Sequence, residues 1–481
     1  MLNLNYNISK NINLKKGVVY TPDFIVTNML DLVKYKGTDI LDKHIIDNSC
    51  GDGSFLVQIV QRYINECIKN NFSEIKIINL LSKYIHGVEI DKDSHIKCLN
   101  KLNLLLNNNN IFLKVKWDII CDDALKVKKY NKKMDFVIGN PPYIRIHDLN
   151  FDYKMFNFSK KGMTDLYIIF YEIGLNMLAD KGKLIYITPN SYFTSVAGNE
   201  LRNYVCSTNK LKTVLNLKHF NPFGNVTTYT AITILSNEEN DKVDYFEYDQ
   251  FRKKPIFVTK LTYKDFYINN QFYFGKKTNL SKFKKIITTP INNSFSIKNG
   301  VSSNLDSFFF NKNYEGEYIK DGLKISRLER TKVIFPYNKN GKVIPLEEIK
   351  NNDFKLYKMF LKNKKQLLKR DLQEQEWYAF ARTQGLLDVF KKKIVISNII
   401  RDIETMKISI VEPEIVVYSG YYIVSDVYSY IDIINYIKHP DFLEFLKILG
   451  KDKNGKYYFY SSLDLRRYLS FKISEKRRKN G

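Results

Sequence analysis

Residues 134–143 read Met-Asp-Phe-Val-Ile-Gly-Asn-Pro-Pro-Tyr and carry the most specific signal in the chain. The apolar run Phe136–Ile138 predicts a buried strand, and the Gly-Asn-Pro-Pro sequence after it predicts the turn that ends the strand. Each proline has a fixed φ and no N–H, so the carbonyls of the turn are held rigidly and are left to accept hydrogen bonds. We therefore expect a rigid loop rich in acceptors directly after a buried strand.

The side chains of this turn suit one kind of chemical group. Asn140 adds a side-chain carbonyl, and Tyr143 adds a flat aromatic face. Acceptors beside an aromatic ring hold a planar, weakly nucleophilic amine such as the exocyclic N6 of adenine. Asn-Pro is also a common turn signal, so a purely structural turn is the less favoured alternative for the tetrapeptide alone.

Acidic residues follow the strands predicted upstream. A short buried strand at 44–48 leads into the Gly-rich turn Ser49-Cys-Gly-Asp-Gly53, which lets a ligand approach the backbone and the amides of the next helix. The next strand ends at Glu89, a position suited to ribose hydroxyls, and a third ends in Asp122 and Asp123. A single loop acid is usually only solvated. Acids at successive strand ends, before the Asn-Pro-Pro-Tyr turn, indicate one shared site.

In this order the motifs resemble those of the gamma-class (Taq-like) DNA adenine methylases, amino-methyltransferases that use S-adenosylmethionine. Gly17-Val-Val-Tyr-Thr-Pro22 is similar to the family's N-terminal cofactor motif, and Asn140, Pro141, Pro142 and Tyr143 match its catalytic tetrapeptide. Phe223, within Asn221-Pro-Phe-Gly-Asn-Val226, resembles the aromatic residue that stacks with Tyr143 on an extruded base.

The resemblance also implies a cofactor site. Asp47 and Gly51 would hold the amino-acid end of S-adenosylmethionine, Glu89 its ribose and Asp122 its adenine. The full set of expected cofactor-binding residues is Tyr20, Thr21, Asp47, Cys50, Gly51, Gly53, Glu89, Ile90, Asp122, Asp123 and Asn140. Two positions depart from the family pattern: Asp123 stands where an apolar or aromatic residue is frequent, and Asp47 is shorter than the Glu of some relatives.

The first half of the chain alternates strands and helices, which predicts an α/β fold with a mostly parallel, Rossmann-like sheet and helices on both faces. Expected helices lie at 53–67, 92–106, 166–178 and 199–207, and expected strands at 85–90, 117–121, 136–139, 183–188, 213–217 and 231–235. Past about residue 245 this alternation fades. We expect a catalytic S-adenosylmethionine-binding domain at 1–245 and a mixed α+β domain at 246–481, which resembles the family's DNA target-recognition domain.

The charge of the chain favours a polyanionic partner. Its 481 residues carry 76 Lys and Arg against 51 acids, a net charge of +25. A general lysine-rich composition contributes, but Lys355–Arg370 holds seven basic residues and no acid, and residues 476–479 are all basic. The expected DNA-binding residues are Lys364, Lys365, Lys369 and Arg370, together with Arg382 and Gln384, which are suited to phosphate or base edges and equally to structural roles.

Other classes of protein are disfavoured. The five cysteines are scattered and lack metal-ligand spacing, which predicts reduced thiols, no metal site and no cysteine nucleophile. No stretch approaches the ~18 apolar residues of a membrane span, and the N-terminus is polar. We therefore expect a cytoplasmic protein with no membrane partner.

The resemblance implies methylation of N6 of a flipped-out adenine in duplex DNA, with protection of host DNA from a restriction endonuclease. The length leaves no room for a nuclease domain, so we expect a separately encoded endonuclease and a monomeric enzyme. RNA adenine methylation remains an alternative, and protein glutamine methylation or a non-catalytic DNA-specificity subunit fit less well.

Overall fold

The computed structural model describes residues 20–149, 153–224, 228–372, 375–453 and 455–480, with side chains up to Arg478. Residues 17–19 of the predicted N-terminal motif, Asn225 and Val226, and the side chain of Lys479 lie outside the described residues. The chain divides into two compact units, Met1–Leu280 and Ser281–Gly481.

A nine-stranded mixed sheet forms the centre of the first unit, counted over the described residues. Its strands are β1 (Ile45–Asp47), β2 (Ile85–Glu89), β3 (Asp118–Cys121), β4 (Met134–Gly139), β5 (Leu178–Pro189), β6 (Leu211–Asn216), β7 (Thr230–Ser236), β8 (Lys242–Asp249) and β9 (Lys254–Thr262). They lie in the order β3-β2-β1-β4-β5-β7-β6-β8-β9. The first five strands in this order are mutually parallel, whereas β7 is antiparallel to both β5 and β6. The fold is therefore α/β with a large mixed sheet.

Helices cover both faces of this sheet. They are α1 (Asp23–Leu32), α2 (Ser54–Lys69), α3 (Glu74–Tyr84), α4 (Lys92–Asn108), α5 (Leu166–Met177) and α6 (Asn199–Ser207). The short helix α7 (Tyr263–Phe266) and a small hairpin of β10 (Tyr267–Ile268) and β11 (Gln271–Phe272) follow the sheet, and α8 (Lys277–Thr288) spans the boundary between the two units. Successive side chains of β5 point to opposite faces of the sheet. Ile185 and Ile187 pack in the core that α1 to α4 share, while Tyr186 contacts Tyr171 of α5, with ring centroids 5.3 Å apart.

Two observations differ from the sequence-based expectations. Helix α3 was not predicted; Ser73 caps it by accepting from the amide of Lys76, and Ile77 and Leu81 bury its inner face. The sheet also continues past the predicted domain boundary at 245/246, because β8 pairs with β6 and β9 pairs with β8. The unit boundary accordingly lies at Leu280.

The second unit mixes short strands and helices. Its helices are α9 (Asp306–Phe309), α10 (Leu346–Asn352), α11 (Phe354–Leu367), α12 (Tyr430–Ile437), α13 (Pro440–Leu449) and α14 (Ser462–Asn480). Its strands are β12 (Ser296–Asn299), β13 (Ile319–Lys324), β14 (Glu329–Ile334), β15 (Lys393–Ile396), β16 (Ile399–Ile400), β17 (Ile408–Val411), β18 (Ile415–Tyr418), β19 (Tyr421–Val424), β20 (Asp452–Lys453) and β21 (Tyr457–Phe459). They form sheets β12-β19-β15-β17, β14-β13-β18 and β16-β21-β20. An aromatic-rich core that includes Phe309, Phe360 and Phe380 packs α11 in this unit.

Candidate active site

The strand order brings the predicted acids to one edge of the sheet. Strands β3, β2, β1 and β4 are adjacent and parallel, so their carboxyl ends lie side by side. Asp47 ends β1, Glu89 ends β2, Asp122 follows β3, and Asn140 follows β4. In open α/β sheets this edge is where ligands bind.

The Gly-rich turn after β1 is fixed by its neighbours. The amide of Cys50 donates to the carbonyl of Val88 at 3.0 Å, and the amide of Gly51 donates to Glu89 Oε2 at 2.8 Å. Gly51 has a φ of 56°, and a Cβ there would meet nothing within 4 Å, so open space lies beside its backbone. Gly53 has a φ of 93°, and a Cβ there would lie 2.9 Å from Cys98 Sγ. Glycine at position 51 thus leaves the backbone of the turn open, and glycine at position 53 lets α4 pack closely against the start of α2.

Glu89 ends β2, and its carboxylate also stabilises the Gly-rich turn after β1. Its second oxygen, Oε1, accepts from the amide of Asp91 at 2.8 Å, and burial raises the pKa of its carboxyl. Each carboxylate oxygen can accept more than one hydrogen bond, so Glu89 retains acceptor capacity toward a ligand. Ile90, the next residue, exposes 42% of its surface and offers an apolar face beside the acid.

The two aspartates after β3 differ in what they contact. Asp122 is exposed, its amide donates to the carbonyl of Glu89, and its Oδ1 accepts from the amide of Asp123 at 2.7 Å. Asp123 Oδ1 accepts from the amide of Leu125, and its other oxygen lies 3.6 Å from Lys126 Nζ. Asp123 therefore stabilises the local turn, whereas the exposed carboxylate of Asp122 lies at the sheet edge.

Asp47 is the most strongly perturbed acid of the site. It is 1% exposed, and burial raises the pKa of its carboxyl to about 8, with Glu89 adding to the rise and a hydrogen bond from the amide of Ser49 opposing it. Gly139 on the neighbouring strand leaves room for this carboxylate, since a Cβ there would lie 2.8 Å from Asp47 Oδ1. This role of Gly139 was not predicted from the sequence.

The predicted tetrapeptide lies beside the N-terminal motif and a group of aromatic rings. Asn140 Nδ2 donates to the hydroxyl of Thr21 at 3.1 Å, and the hydroxyl of Tyr143 donates to the carbonyl of Ile187 at 3.3 Å. The rings of Tyr143 and Phe223 are edge-to-face, with centroids 6.3 Å apart and planes at 77°. A third ring, that of Tyr167 on α5, lies 6.2 Å from Tyr143 and was not predicted, because the chain holds many tyrosines and nothing marked this one.

Tyr20 and Thr21, both predicted to bind the cofactor, differ in how far they are exposed. Tyr20 is 58% exposed, whereas Thr21 is 5% exposed. Phe223 is held by Asn221, whose side chain accepts from the amide of Phe223 at 3.0 Å and donates to the carbonyl of Gly224 at 2.9 Å.

In the second unit, Arg370 has a structural role that the sequence analysis did not anticipate. Its guanidinium donates to the carbonyls of Ser303, Leu367, Trp377 and Ala379 at 2.6–3.0 Å and lies 4.9 Å from the ring centroid of Phe309. Lys364, Lys365 and Lys369, by contrast, are exposed. These contacts give Arg370 a role in holding the segment around Trp377, and its expected DNA contact stays a prediction.

Arg382 and Gln384 line a polar cavity of about 350 Å³ together with Gln375, Ala381 and Thr383. Both side chains are exposed, and the amide of Arg382 donates to the carbonyl of Ser302 at 3.2 Å. The backbone is thus anchored, while the two side chains face solvent.

Two general features complete the description. All five cysteines are free thiols, and within the described ranges no cluster of three or more His, Cys, Asp or Glu has the geometry of a metal site. No helix in the described part of the chain is both long and apolar enough to cross a membrane.

Part of the chain is similar to known restriction-modification enzymes. Residues 56–223 match the family described as Eco57I restriction-modification methylase. The chain is 30% identical over 241 residues to the Type II methyltransferase M.BstVI of Geobacillus stearothermophilus, covering 47% of this chain and 43% of that protein. It is 24% identical to the Type II restriction enzyme and methyltransferase RM.Eco57I of Escherichia coli, covering 80% of this chain and 49% of that protein. The chain thus spans about half the length of these relatives.

Solved structures agree on the fold. The Type IIL restriction-modification enzyme MmeI, solved in complex with DNA, superposes with a TM-score of 0.60 at 14% identity, over 95% of this chain and 65% of that one. The Type ISP enzyme LlaGI superposes with a TM-score of 0.51 at 15% identity, over 87% of this chain and 43% of that one.

Proposed function

We propose that this chain is an S-adenosylmethionine-dependent methyltransferase that methylates N6 of adenine at specific sites in duplex DNA. The observation that carries the proposal is the position of the Asn-Pro-Pro-Tyr loop. It follows β4, which lies next to β1, so the acceptors of Asn140 stand at the same sheet edge as Asp47 and Glu89. The similarity to Type II methyltransferases supports the same reaction class.

The residues at this edge fit S-adenosylmethionine. A carboxyl buried as deeply as Asp47 is costly to ionise without a cation, and the ammonium of the cofactor's methionine end would supply one. The open backbone at Gly51 admits that end closely. Glu89 would accept from the ribose hydroxyls, and Ile90 would pack against the adenine that Asp122 contacts. When bound, the cofactor supplies an electrophilic methyl group on a sulfonium.

The protein residues act on the target amine. The N6 lone pair of adenine is delocalised into the ring, so the amine attacks poorly. The side chain of Asn140 and the carbonyl of Pro141 would accept hydrogen bonds from the amine and favour a more tetrahedral nitrogen. Such contacts strengthen as the bond to carbon forms, which makes them catalytic. The amine loses one proton as it becomes methylated, and no covalent enzyme intermediate is required.

A base within a duplex cannot reach these acceptors, so the adenine must be flipped out of the helix. Tyr143 and Phe223 would receive it. Their rings are 6.3 Å apart and edge-to-face, so the base would stack on Tyr143 and contact Phe223 at an angle.

The second unit would supply DNA affinity and site choice. Helix α11 and the residues after it expose Lys364, Lys365 and Lys369, which are suited to phosphates. Arg382 and Gln384, at the polar cavity, have the side chains that pair with guanine and adenine edges. We further propose that the chain acts as a monomeric, cytoplasmic modification enzyme that protects host DNA from a partner restriction endonuclease.

Parallel methyl-transfer assays test the proposal. Purified protein is incubated with methyl-labelled S-adenosylmethionine and duplex DNA, structured RNA or protein, and labelled nucleosides are identified by mass spectrometry. Label in N6-methyladenine of duplex DNA is expected, and its loss in Asn140→Ala would tie it to this site. Label confined to RNA or to glutamine would replace the proposed substrate, and transfer to none of the three would favour a non-catalytic DNA-specificity subunit.

A further inference from the structure

Thr21 lies against the proposed catalytic loop although the two segments are 119 residues apart in the chain. Its hydroxyl accepts from Asn140 Nδ2 at 3.1 Å, and its side chain is 5% exposed. Thr21 is predicted from the sequence to bind the cofactor, whereas its contact in the structure is to the tetrapeptide.

The position of Thr21 is fixed by the helix that follows it. Pro22 caps α1, and its carbonyl accepts from the amides of Ile25 and Val26 at 2.9 and 3.2 Å. Ile25 and Met29 of α1 are fully buried in the core shared with the sheet. The hydroxyl is therefore attached to a rigid element rather than to a mobile loop.

Asn140 needs such an anchor because its amide has two different ends. A substrate amine can use only the carbonyl end, and an amide rotated by half a turn would present its own N–H groups to the N–H groups of the substrate. With Nδ2 donating to Thr21, the carbonyl end is directed away from Thr21. The Thr21 hydroxyl can donate as well as accept, so the contact fixes the side-chain rotamer of Asn140, and in that rotamer the carbonyl end is the one directed away from Thr21.

We propose that Thr21 is a positioning residue that holds the side chain of Asn140 in its productive orientation. The proposal rests on the proposed function, because it assigns Thr21 a role in that same methyl transfer. It differs from a cofactor-binding role in one measurable way. A positioning residue affects turnover at saturating cofactor, while a cofactor ligand affects cofactor affinity.

The test compares Thr21→Val, which keeps the shape of the side chain and removes the hydroxyl, with Thr21→Ser, which keeps the hydroxyl. Turnover at saturating S-adenosylmethionine and DNA should fall about tenfold in Thr21→Val, the size expected for one lost hydrogen bond, and stay within about threefold of wild type in Thr21→Ser. The cofactor Kd from calorimetry should stay within about twofold in both. Thr27→Val, on the adjoining helix α1, is the matched control and should behave as wild type.

Three outcomes would overturn the assignment. They are unchanged turnover in Thr21→Val, a weaker cofactor Kd with normal turnover at saturation, and an equal loss in Thr21→Ser. Thermal denaturation of each variant separates a folding defect from a loss of turnover. If the wild-type protein itself transfers no methyl group to DNA, the proposed function fails instead, so the two failures are distinguishable.

Discussion

Burial of Asp47 changes the pKa of its carboxyl enough to be measured. Its carboxyl has a pKa raised to about 8 by desolvation, so the folded protein retains a proton there that the unfolded chain releases near pH 4. The folded state therefore loses stability as pH rises from about 4 to about 8. A bound ammonium group would favour the ionised carboxylate and so displace this proton.

Proton release on cofactor binding follows from this pKa. Affinity for S-adenosylmethionine should rise with pH between about 6 and 7.5, by up to about tenfold per unit, because binding expels the Asp47 proton. Calorimetry in buffers of different ionisation enthalpy measures the protons released directly. Asp47→Asn should abolish the release, and Asp93→Asn, at an exposed position on α4, should not. Equal proton release in wild type and Asp47→Asn would remove Asp47 from the site.

Glu89 combines a structural and a ligand-binding role, and two substitutions separate them. Glu89→Gln keeps one acceptor oxygen for the amides of Gly51 and Asp91, whereas Glu89→Ala keeps none. Both should weaken cofactor binding, by about 1.5–3 kcal/mol per lost charge-assisted bond, and Glu89→Ala should also lower stability. DNA affinity should stay unchanged in anisotropy measurements. Calorimetry that shows wild-type cofactor affinity in both variants would contradict the assigned role.

At the scale of elements, the sequence predicted helices, strands and turns where the residues that form them are close together in the chain. The predicted helix at 199–207 matches α6, and the acids at successive strand ends lie at one sheet edge. What sequence could not supply were contacts between distant segments, such as Gly139 with Asp47 or Asn140 with Thr21. These depend on strand order and register, which local patterns do not contain.

Arg370 and Lys369 are adjacent in the chain, but Arg370 is bonded to carbonyls and Lys369 is exposed, so the stabilities of their variants can be compared directly. Arg370→Gln should destabilise the protein by about 2–4 kcal/mol, because it leaves half-buried carbonyls around Trp377 without their charged donor. Lys369→Gln, at an exposed position, should change stability by less than about 0.5 kcal/mol. Urea denaturation of both variants provides the comparison. Equal stability of the two would show that the carbonyl contacts of Arg370 contribute little.

Substitution of the exposed lysines in α11 and in the residues after it tests whether this element contacts DNA. Replacing Lys364, Lys365 and Lys369 by Gln should weaken binding to cognate and scrambled duplexes alike. Each lost phosphate contact should reduce the slope of log K against log salt by about 0.9. The control replaces the exposed Lys97, Lys114 and Lys116 of the first unit and should leave the slope unchanged. Fluorescence anisotropy across a salt series measures both, and an unchanged slope in the first triple variant would place the DNA elsewhere, with the basic helix α14 as the next candidate.

For the molecule as a whole, the net charge of +25 would favour binding to any duplex and would give no preference among sequences. Preference requires side chains that reach base edges, and Arg382 and Gln384 combine suitable chemistry with exposure at a polar cavity. Methyl transfer and site choice would then reside in different units, because Asn140 belongs to the first unit and these two residues to the second. This separation predicts two distinct kinds of defective variant.

Asn140→Ala should bind its site with wild-type affinity and transfer no methyl group, because its contacts matter mainly in the transition state. Arg382→Ala or Gln384→Ala should keep the rate at saturating DNA but lose about 1–3 kcal/mol of preference for the cognate site over single-base variants. Methylation-sensitive sequencing of DNA from cells that express each variant reports site choice, and single-turnover rates report chemistry. Thr383→Ala, between the two residues, is the control for loop damage. If Arg382→Ala and Gln384→Ala lower affinity equally on cognate and scrambled duplexes, both residues contact phosphate, and the base-reading residues lie elsewhere in the second unit.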